Sequence, residues 1–269
     1  MKTLGMAKGA QVEDDDNDRY RAPALDKGLE ILELLARSDS GLTQSEIARE
    51  MGRSASEFFR MLDRLVRRGY VARDRNDRYS LTLKLFGLAQ QHAPVRRLAS
   101  FATPLMREFA QQTNQAVHLT VFDRGEAVVV AQQEAPQYWG VSIRVGSHIT
   151  LFDTGSGHVL LAFRSPEERE MMLAEYGRNR EEVKPDPAFF ERLDRIKARG
   201  YERMESAQTA GVYNLSVPVL GPDGRGMAAL SCPYIPLLDG PAPDIEETIQ
   251  LLKETAQRLS RLAGCEPED

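Results

Sequence analysis

The sequence predicts an α+β protein with an N-terminal winged helix-turn-helix, a helical linker and a larger mixed α/β domain. Three observations lead to this fold class. The 269 residues are too many for one small domain and enough for two, each with its own core. Two short helices with capping signals precede a strand hairpin. Beyond residue 104, strand and helix patterns alternate, as is typical of a sheet flanked by helices.

The first domain is predicted over residues 21–83 and opens with three helices. The first starts at Pro23, and its apolar positions recur at helical spacing, at Leu25, Leu29, Leu32 and Leu35. Two capping boxes, Thr43-Gln-Ser-Glu46 and Ser54-Ala-Ser-Glu57, open the next two helices. Two capped helices separated by about three residues are typical of a helix-turn-helix.

A strand hairpin completes this domain. Tyr70–Arg73 and Arg78–Leu81 alternate between apolar and polar residues, and the four residues between them form a turn. Three helices followed by such a hairpin predict a winged helix. In that arrangement the second capped helix enters the major groove of DNA and the hairpin is the wing.

The second capped helix and the wing supply most of the candidate DNA contacts. Arg60 has the planar donor fork that grips a guanine edge or a phosphate, and Glu57 can accept from a cytosine amino group. The set predicted to contact double-stranded operator DNA is Thr43, Gln44, Ser54, Ser56, Glu57, Arg60, Arg64 and Arg78. Two alternatives stay open. The capping residues serve only the helices, or the winged helix binds protein rather than DNA.

Residues 84–103 are predicted to form a helical linker. Leu85, Phe86 and Leu88 follow a helical pattern, and Pro94 is expected to kink or restart the helix. We expect this apolar helix to pair with its copy in a homodimer, because helix-turn-helix proteins usually read two half-sites. The alternative is that it packs on its own winged helix.

The second domain is predicted over residues 104–265, and Pro104 is expected to start its first helix. Strand patterns lie at 117–122, 127–131, 141–145, 201–205, 215–220 and 227–234. Further helices are predicted at 154–163, 166–176, 186–199 and 244–263. This order predicts a mixed, largely antiparallel sheet flanked by helices.

Two segments of this domain are candidates for a small-molecule site. Thr154-Gly155-Ser156-Gly157 precedes an apolar helix, and glycines with the free amides of a first helical turn favour an anion. Residues 209–214 lead into the strand pair that carries Ser231. The alternatives are a plain capped helix start and a turn in which Asn214 and Ser231 are satisfied locally.

Composition and charge limit the possible functions. No apolar run approaches the roughly 18 residues of a membrane span, and residues 1–20 lack a signal-peptide core and are expected to be a disordered acidic tail. Two cysteines are too few for a disulfide framework, so we expect a cytoplasmic protein without membrane association. The net charge is −5, but ten basic and five acidic residues between Arg49 and Lys84 indicate one surface for a polyanion.

We find no catalytic or metal-binding set and expect no cofactor. The four histidines lack metal-ligand spacing, and the chain has no nucleophile elbow, P-loop or dinucleotide fingerprint. His118 is expected to be a half-buried strand residue, and Cys232 a core residue rather than a nucleophile.

Taken in order, the motifs resemble those of the IclR-type transcriptional regulators from about Leu25 to Leu262. The matching stretches are Ala24-Leu-Asp-Lys-Gly-Leu-Glu-Ile-Leu, Leu42-Thr-Gln-Ser-Glu-Ile-Ala, Arg60-Met-Leu-Asp-Arg-Leu-Val-Arg-Arg-Gly-Tyr-Val, Arg78-Tyr-Ser-Leu, Arg144-Val-Gly-Ser, Thr154-Gly-Ser-Gly-His-Val-Leu-Leu-Ala-Phe, Arg199-Gly-Tyr, Gly211-Val and Ser216-Val-Pro-Val. Each stretch is common alone, whereas their order and spacing together are specific.

The resemblance implies a winged helix that binds operator DNA, a GAF-like effector domain, and dimers that often pair into tetramers. Family effectors are small organic acids, aromatic acids or sugar-acid metabolites, held between the helix start at Gly155 and the late strands. Ser231 matches a pocket serine of the family, and Asn214 stands where many members have cysteine. Met204 and Pro233 replace an acidic residue and a second serine of some members.

The combined prediction is a repressor of a catabolic operon, controlled by a small organic-acid or sugar-acid effector. Because Ser206, Gln208 and Asn214 are polar, we expect a polyhydroxylated acid. The residues predicted to bind it are Thr154, Gly155, Ser156, Gly157, Ser206, Gln208, Asn214 and Ser231. The alternatives are a metabolite-binding enzyme and a protein–protein adaptor with an appended winged helix.

Overall fold

The computed structural model describes residues 22–91, 93–137, 140–179, 185–237 and 242–265. The predicted acidic tail at residues 1–20 lies outside these ranges. The chain divides into two compact units between His92 and Ala93, inside the linker predicted at 84–103. None of the helices in the described ranges is long and apolar enough to cross a lipid bilayer.

The first unit has the predicted winged helix. Its elements are α1 (Pro23–Ala36), β1 (Leu42–Thr43), α2 (Gln44–Glu50), α3 (Ala55–Arg67), β2 (Val71–Arg73), β3 (Arg78–Leu81) and α4 (Lys84–Gln90). Strand β3 lies between β1 and β2 in an antiparallel sheet. The β2–β3 hairpin is the wing, and four residues separate the end of α2 from the start of α3.

The core of this unit uses only part of the apolar stripe that was predicted on α1. Ile31 and Leu35 of α1 are buried against Phe58 and Leu62 of α3. Leu25, by contrast, is 60% exposed and Leu29 is 48% exposed. The apolar stripe of α1 is therefore wider than its core contact. The exposed part lines a groove of about 910 Å³ together with Leu32, Met61, Leu65, Leu85 and Leu88.

The second unit is built on a six-stranded sheet. Its elements are α5 (Ala93–Thr113), β4 (Val117–Asp123), β5 (Glu126–Gln133), β6 (His148–Ile149), α6 (Gly155–Ala162), α7 (Pro166–Asn179), α8 (Pro187–Arg199), β7 (Glu202–Glu205), β8 (Tyr213–Leu220), β9 (Gly226–Tyr234) and α9 (Ile245–Leu262). The strand order is β6-β5-β4-β9-β8-β7, and every paired neighbour is antiparallel.

Helices cover both faces of this sheet. Leu119, Leu215 and Leu230 point towards α5 and α9 and form one core with residues such as Phe109 and Leu252. On the other face lies α6, all of whose residues are buried, and it packs with α7 and α8. Because strand residues alternate between faces, the polar residues between these leucines face α6.

Two details of the prediction are wrong. Pro104 does not start a helix but lies inside α5, which runs from Ala93. The buried face of α5, which includes Ala102, Met106 and Phe109, holds the helix together across the missing amide. No strand forms at 141–145, because backbone hydrogen bonding to β5 starts only at Gly146, whose amide donates to the Val129 carbonyl at 2.8 Å.

Candidate nucleic-acid interface and effector site

The two predicted capping boxes fix the helices of the helix-turn-helix. At the start of α2, the Glu46 carboxylate accepts from the amide of Thr43 at 2.7 Å, while the Thr43 hydroxyl accepts from the amide of Glu46 at 3.3 Å. At the start of α3, the Glu57 carboxylate accepts from both the hydroxyl and the amide of Ser54, at 2.7 and 2.8 Å. These hydrogen bonds lower the pKa of Glu46 and of Glu57. Both carboxylates are thus already engaged in helix starts.

The exposed face of α3 presents cations to solvent. Ser56, Arg60 and Arg64 are exposed, as predicted for a recognition helix. Neither Arg60 nor Arg64 forms an ion pair with any described residue, whereas Arg67 on the same helix is held by Asp63 at 2.8 Å. Gln44, the first residue of α2, is half-buried. Arg60 and Arg64 therefore have all their donors available for an anionic partner.

The wing arginine that was predicted to contact DNA is bound within the protein. The guanidinium of Arg78 donates to the carbonyl of Gly41 at 2.8 Å and to that of Ser40 at 3.2 Å, and it lies 3.3 Å from the Glu46 carboxylate. Arg78 therefore fastens the wing to the segment before α2. Arg75 lies at the exposed tip of the wing instead, and it has no ion pair with a described residue. Sequence reasoning missed Arg75, although the predicted turn placed it there.

In the second unit, the start of α6 lies directly on the sheet. The Thr154 hydroxyl accepts from the amide of Gly157 at 3.1 Å, so the predicted helix cap is present. A Cβ at Gly155 would lie 2.6 Å from the Ser216 hydroxyl oxygen, and one at Gly157 would lie 2.5 Å from the Leu151 backbone. The glycines thus allow the helix to approach the sheet. The amides of Gly155 and Ser156 have no acceptor among the described residues.

A chain of buried hydroxyls links α6 to the sheet. The hydroxyl oxygens of Ser156 and Ser231 are 2.8 Å apart, and the Ser231 hydroxyl donates to that of Ser216 at 2.8 Å. All three serines are at most 3% exposed. Asn214 also lies at this place, because its Cβ would be 3.6 Å from a Cβ at Gly155. Ser216 was missed as a site residue, since only the β8–β9 register places it opposite Ser231.

Two predicted effector residues lie apart from this cluster. The Ser206 hydroxyl accepts from the amides of Gln208 and Thr209, which makes a local turn after β7. Gln208 is exposed, and neither Ser206 nor Gln208 contacts the three serines through any described hydrogen bond. The structure therefore brings together Gly155, Ser156, Asn214 and Ser231.

A buried carboxylate next to this cluster connects three elements. Glu202 of β7 is 1% exposed and lies 3.3 Å from Nδ1 of His158 and 2.9 Å from Nε of Arg192. Arg199 also donates to it. Burial alone would raise the pKa of Glu202, but the hydrogen bonds from His158 and Arg192 and the nearby positive charges hold it below its ordinary value. This ion-pair cluster ties α6, α8 and β7 together.

His118 and Cys232 are both buried in the second unit. His118 is 4% exposed rather than half-buried, and burial lowers its pKa to about 4. Its Nε2 has no hydrogen-bond partner among the described residues. Cys232 is a core residue, as predicted, and burial raises the pKa of its thiol. Within the described ranges, no group of three His, Cys, Asp or Glu side chains is placed to hold a metal ion.

Comparison with known proteins identifies both units. Residues 24–75 match the IclR helix-turn-helix domain, and residues 90–261 match the domain described as "Bacterial transcriptional regulator IclR C-terminal". The chain is 29% identical over 224 residues to the "HTH-type transcriptional regulator KdgR" of Escherichia coli (strain K12), covering 82% of this chain and 85% of that protein. It is 25% identical over 270 residues to the "HTH-type transcriptional repressor AllR" of Klebsiella pneumoniae, covering 97% of each.

A solved structure shares the fold. The IclR homologue of Microbacterium hydrocarbonoxydans, crystallised with 4-hydroxybenzoate, matches with a TM-score of 0.72 at 24% identity, over 89% of this chain and 98% of that chain. The predicted fold class and the prediction of a transcriptional regulator rather than an enzyme are confirmed. With a DNA-binding unit and an effector unit that both match, the chain belongs to the IclR family of bacterial transcriptional regulators.

Proposed function

We propose that this protein represses a catabolic operon by binding a palindromic operator, and that a small organic acid bound to the second unit changes its affinity for that DNA. The observation that carries the proposal is the exposed face of α3, where Arg60 and Arg64 have no intramolecular ion pair among the described residues. The repressor function is supported by the likeness to a protein described as a repressor.

The DNA contacts follow from the shape of the first unit. Helix α3 enters the major groove, where Ser56, Arg60 and Arg64 face the base edges and the flanking phosphates. Thr43, Gln44 and Ser54 lie at the starts of α2 and α3, where helix amides favour phosphate. Arg75 at the tip of the wing contacts the backbone or the minor groove. Arg78 and Glu57 position these elements.

The effector site lies where α6 meets the late strands. The unpaired amides of Gly155 and Ser156 bind the carboxylate of the effector, because the start of a helix favours an anion. The hydroxyls of Ser156 and Ser231 and the amide of Asn214 bind its polar groups. Binding at this place shifts the population between two arrangements of the winged helices in the assembly.

A homodimer is part of the proposal. In the first unit, Leu83 is 82% exposed and Phe86 of α4 is 62% exposed. The same helix contributes Leu88 to the apolar groove that contains Leu29. Exposed apolar surface of this extent is typical of an interaction site. A second copy is the partner that a two-half-site operator requires. We also propose that two such dimers pair into a tetramer.

A reporter experiment tests the repressor function. The promoter upstream of this protein's own gene is fused to a reporter, and its expression is compared with and without the protein. If the protein is a repressor, reporter expression is higher in a strain that lacks it. The intact protein then lowers the expression again, and an Arg60→Ala variant does not. Lower expression in the deletion strain would make the protein an activator. Unchanged expression from this and neighbouring promoters would favour a protein–protein adaptor.

A further inference from the structure

A row of polar residues crosses five neighbouring strands under α6. In register, Gln132 of β5 is paired with His118 of β4, His118 with Ser231 of β9, Ser231 with Ser216 of β8, and Ser216 with Glu202 of β7. Directly paired residues share a face of the sheet. That face is the one covered by α6, because Ser231 bonds Ser156 and Glu202 bonds His158 of that helix.

The two halves of this row differ in their hydrogen bonding. Glu202, Ser216 and Ser231 have partners within the protein. In contrast, Nε2 of His118 and Nε2 of Gln132 are buried and have no partner among the described residues. Buried polar atoms in folded proteins nearly always have a hydrogen-bond partner. These two atoms lie on adjacent strands, and His118 is paired directly with Ser231. They therefore indicate a place for a polar group from outside the chain.

The chemistry of this place favours hydroxyl groups. The Gln132 amide nitrogen is a donor, and the imidazole of His118 is uncharged because its pKa is about 4, so its Nε2 either donates or accepts. A hydroxyl group both donates and accepts and therefore satisfies either tautomer. An aromatic ring placed against these atoms would leave both unbonded. The uncharged pair also offers no positive charge to a second carboxylate.

We propose that His118 and Gln132 are specificity-determining residues of the effector site, which bind the hydroxyl groups of a polyhydroxylated organic acid. The inference rests on the proposed effector function. It extends that site from α6 and β9 across β4 to β5. The carboxylate lies at the amides of Gly155 and Ser156, and the hydroxylated carbon chain runs along the serines towards Gln132.

Calorimetric titration of the full-length protein tests this inference. The probes are three polyhydroxylated acids, D-gluconate, D-glucuronate and D-galacturonate, together with benzoate, an aromatic acid that has no hydroxyl group. We expect at least one of the three polyhydroxylated acids to bind the unmodified protein more tightly than benzoate does. Gln132→Leu is expected to weaken the binding of that polyhydroxylated acid at least tenfold without weakening the binding of benzoate. His118→Leu is expected to act in the same direction.

The neighbouring glutamine supplies a matched control. Gln133 follows on the same strand but faces the other side of the sheet, paired with the core residue Val117, so Gln133→Leu is expected to change each affinity less than twofold. Operator binding without a probe is measured for every variant and is expected to be unchanged. Failure to bind DNA at all would contradict the proposed function itself. Two outcomes with intact DNA binding would overturn the inference alone. In one, none of the polyhydroxylated acids binds; in the other, Gln132→Leu and Gln133→Leu have the same affinity for the acid that binds.

Discussion

At the scale of single residues, we expect DNA binding to depend most on the side chain of Arg60. Its guanidinium is exposed on α3 and has no ion pair within the described residues. We predict that Arg60→Ala weakens operator binding by about 1–3 kcal/mol, as expected for the loss of one good base or phosphate contact. Fluorescence anisotropy with a labelled operator measures this difference at a fixed salt concentration.

The control for this prediction is Arg195→Ala. Arg195 is an exposed arginine of α8 that pairs with Glu191 on the same helix, outside the winged helix. Its removal changes the net charge equally and is expected to leave operator affinity unchanged. If the Arg60 and Arg195 variants bind the operator with equal affinity, α3 is not part of the DNA interface.

A second residue-scale prediction concerns His118 and pH. Its pKa is about 4 in the folded chain and about 6.5 in an unfolded one, so only the unfolded state takes up the proton as the pH falls between these values. The contribution of His118 to the free energy of unfolding is therefore fully present above pH 7. At pH 5 the protonation of His118 in the unfolded state lowers that free energy by about 2 kcal/mol. Urea denaturation of the parent chain and of His118→Gln at both pH values measures it. Identical pH dependence in the two proteins would contradict the burial of a neutral imidazole.

Residue roles could be predicted from sequence only where they are local. The capping boxes at Thr43 and Ser54 span three residues each, so their pattern is visible in the chain itself. The role of Arg78 depends on carbonyls 37 and 38 residues away. The proposal that Ser216 and His118 belong to the effector site depends on strand register, which cannot be read from the sequence pattern.

At the scale of elements, two helical glycines are expected to respond in opposite ways to alanine. A Cβ at Gly157 would lie 2.5 Å from the backbone of Leu151, so Gly157→Ala forces α6 away from that segment and destabilises the second unit by about 1–3 kcal/mol. A Cβ at Gly87 in α4 meets nothing within 4 Å. Gly87→Ala is therefore expected to stabilise the first unit by about 1 kcal/mol through helix propensity.

Thermal denaturation followed by circular dichroism measures both glycine variants. A lower melting temperature for Gly157→Ala beside a raised or unchanged one for Gly87→Ala is the expected pattern. If Gly157→Ala has the same melting temperature as the parent protein, α6 does not lie against Leu151 as described.

Elements whose pattern agreed with their burial were predicted well, and the others were not. The wing hairpin and α6 follow local signals. Pro104 signalled a helix start, but the buried face of α5 outweighs the lost amide. Residues 141–145 alternate like a strand, but a turn with Gly146 in a left-handed conformation delays the first hydrogen bond to β5 until Gly146 itself. Tertiary packing therefore outweighed the local signal at Pro104, whereas a local turn outweighed the alternating pattern at 141–145.

At the scale of the whole molecule, self-association is expected to depend on the exposed apolar surface of the first unit. Phe86 is 62% exposed on α4, and we predict that Phe86→Glu weakens the dimer at least tenfold, because a charge cannot be buried there without a partner. Sedimentation equilibrium measures the dissociation constant. Met171 of α7 is 59% exposed, and Met171→Glu is the matched control. Equal dissociation constants for the two variants would mean that Phe86 does not lie in the dimer interface.

The division into two units and their functions could be predicted because the signals run along the chain in a specific order. The effector could not be predicted in the same way. Asn214, Met204 and Pro233 depart from the pattern of the resemblance, so the ligand chemistry has to come from the geometry around Ser231 and His118.

The most direct test of the whole account is a gel-shift titration on DNA upstream of this protein's own gene, with and without each of the organic acids named above. The account predicts a specific complex at moderate salt, weakened by Arg60→Ala, whose affinity one polyhydroxylated acid changes at least tenfold. A complex that forms but responds to none of the acids would contradict the proposed effector. No specific complex on this or neighbouring promoter DNA would contradict the central claim that the winged helix binds an operator.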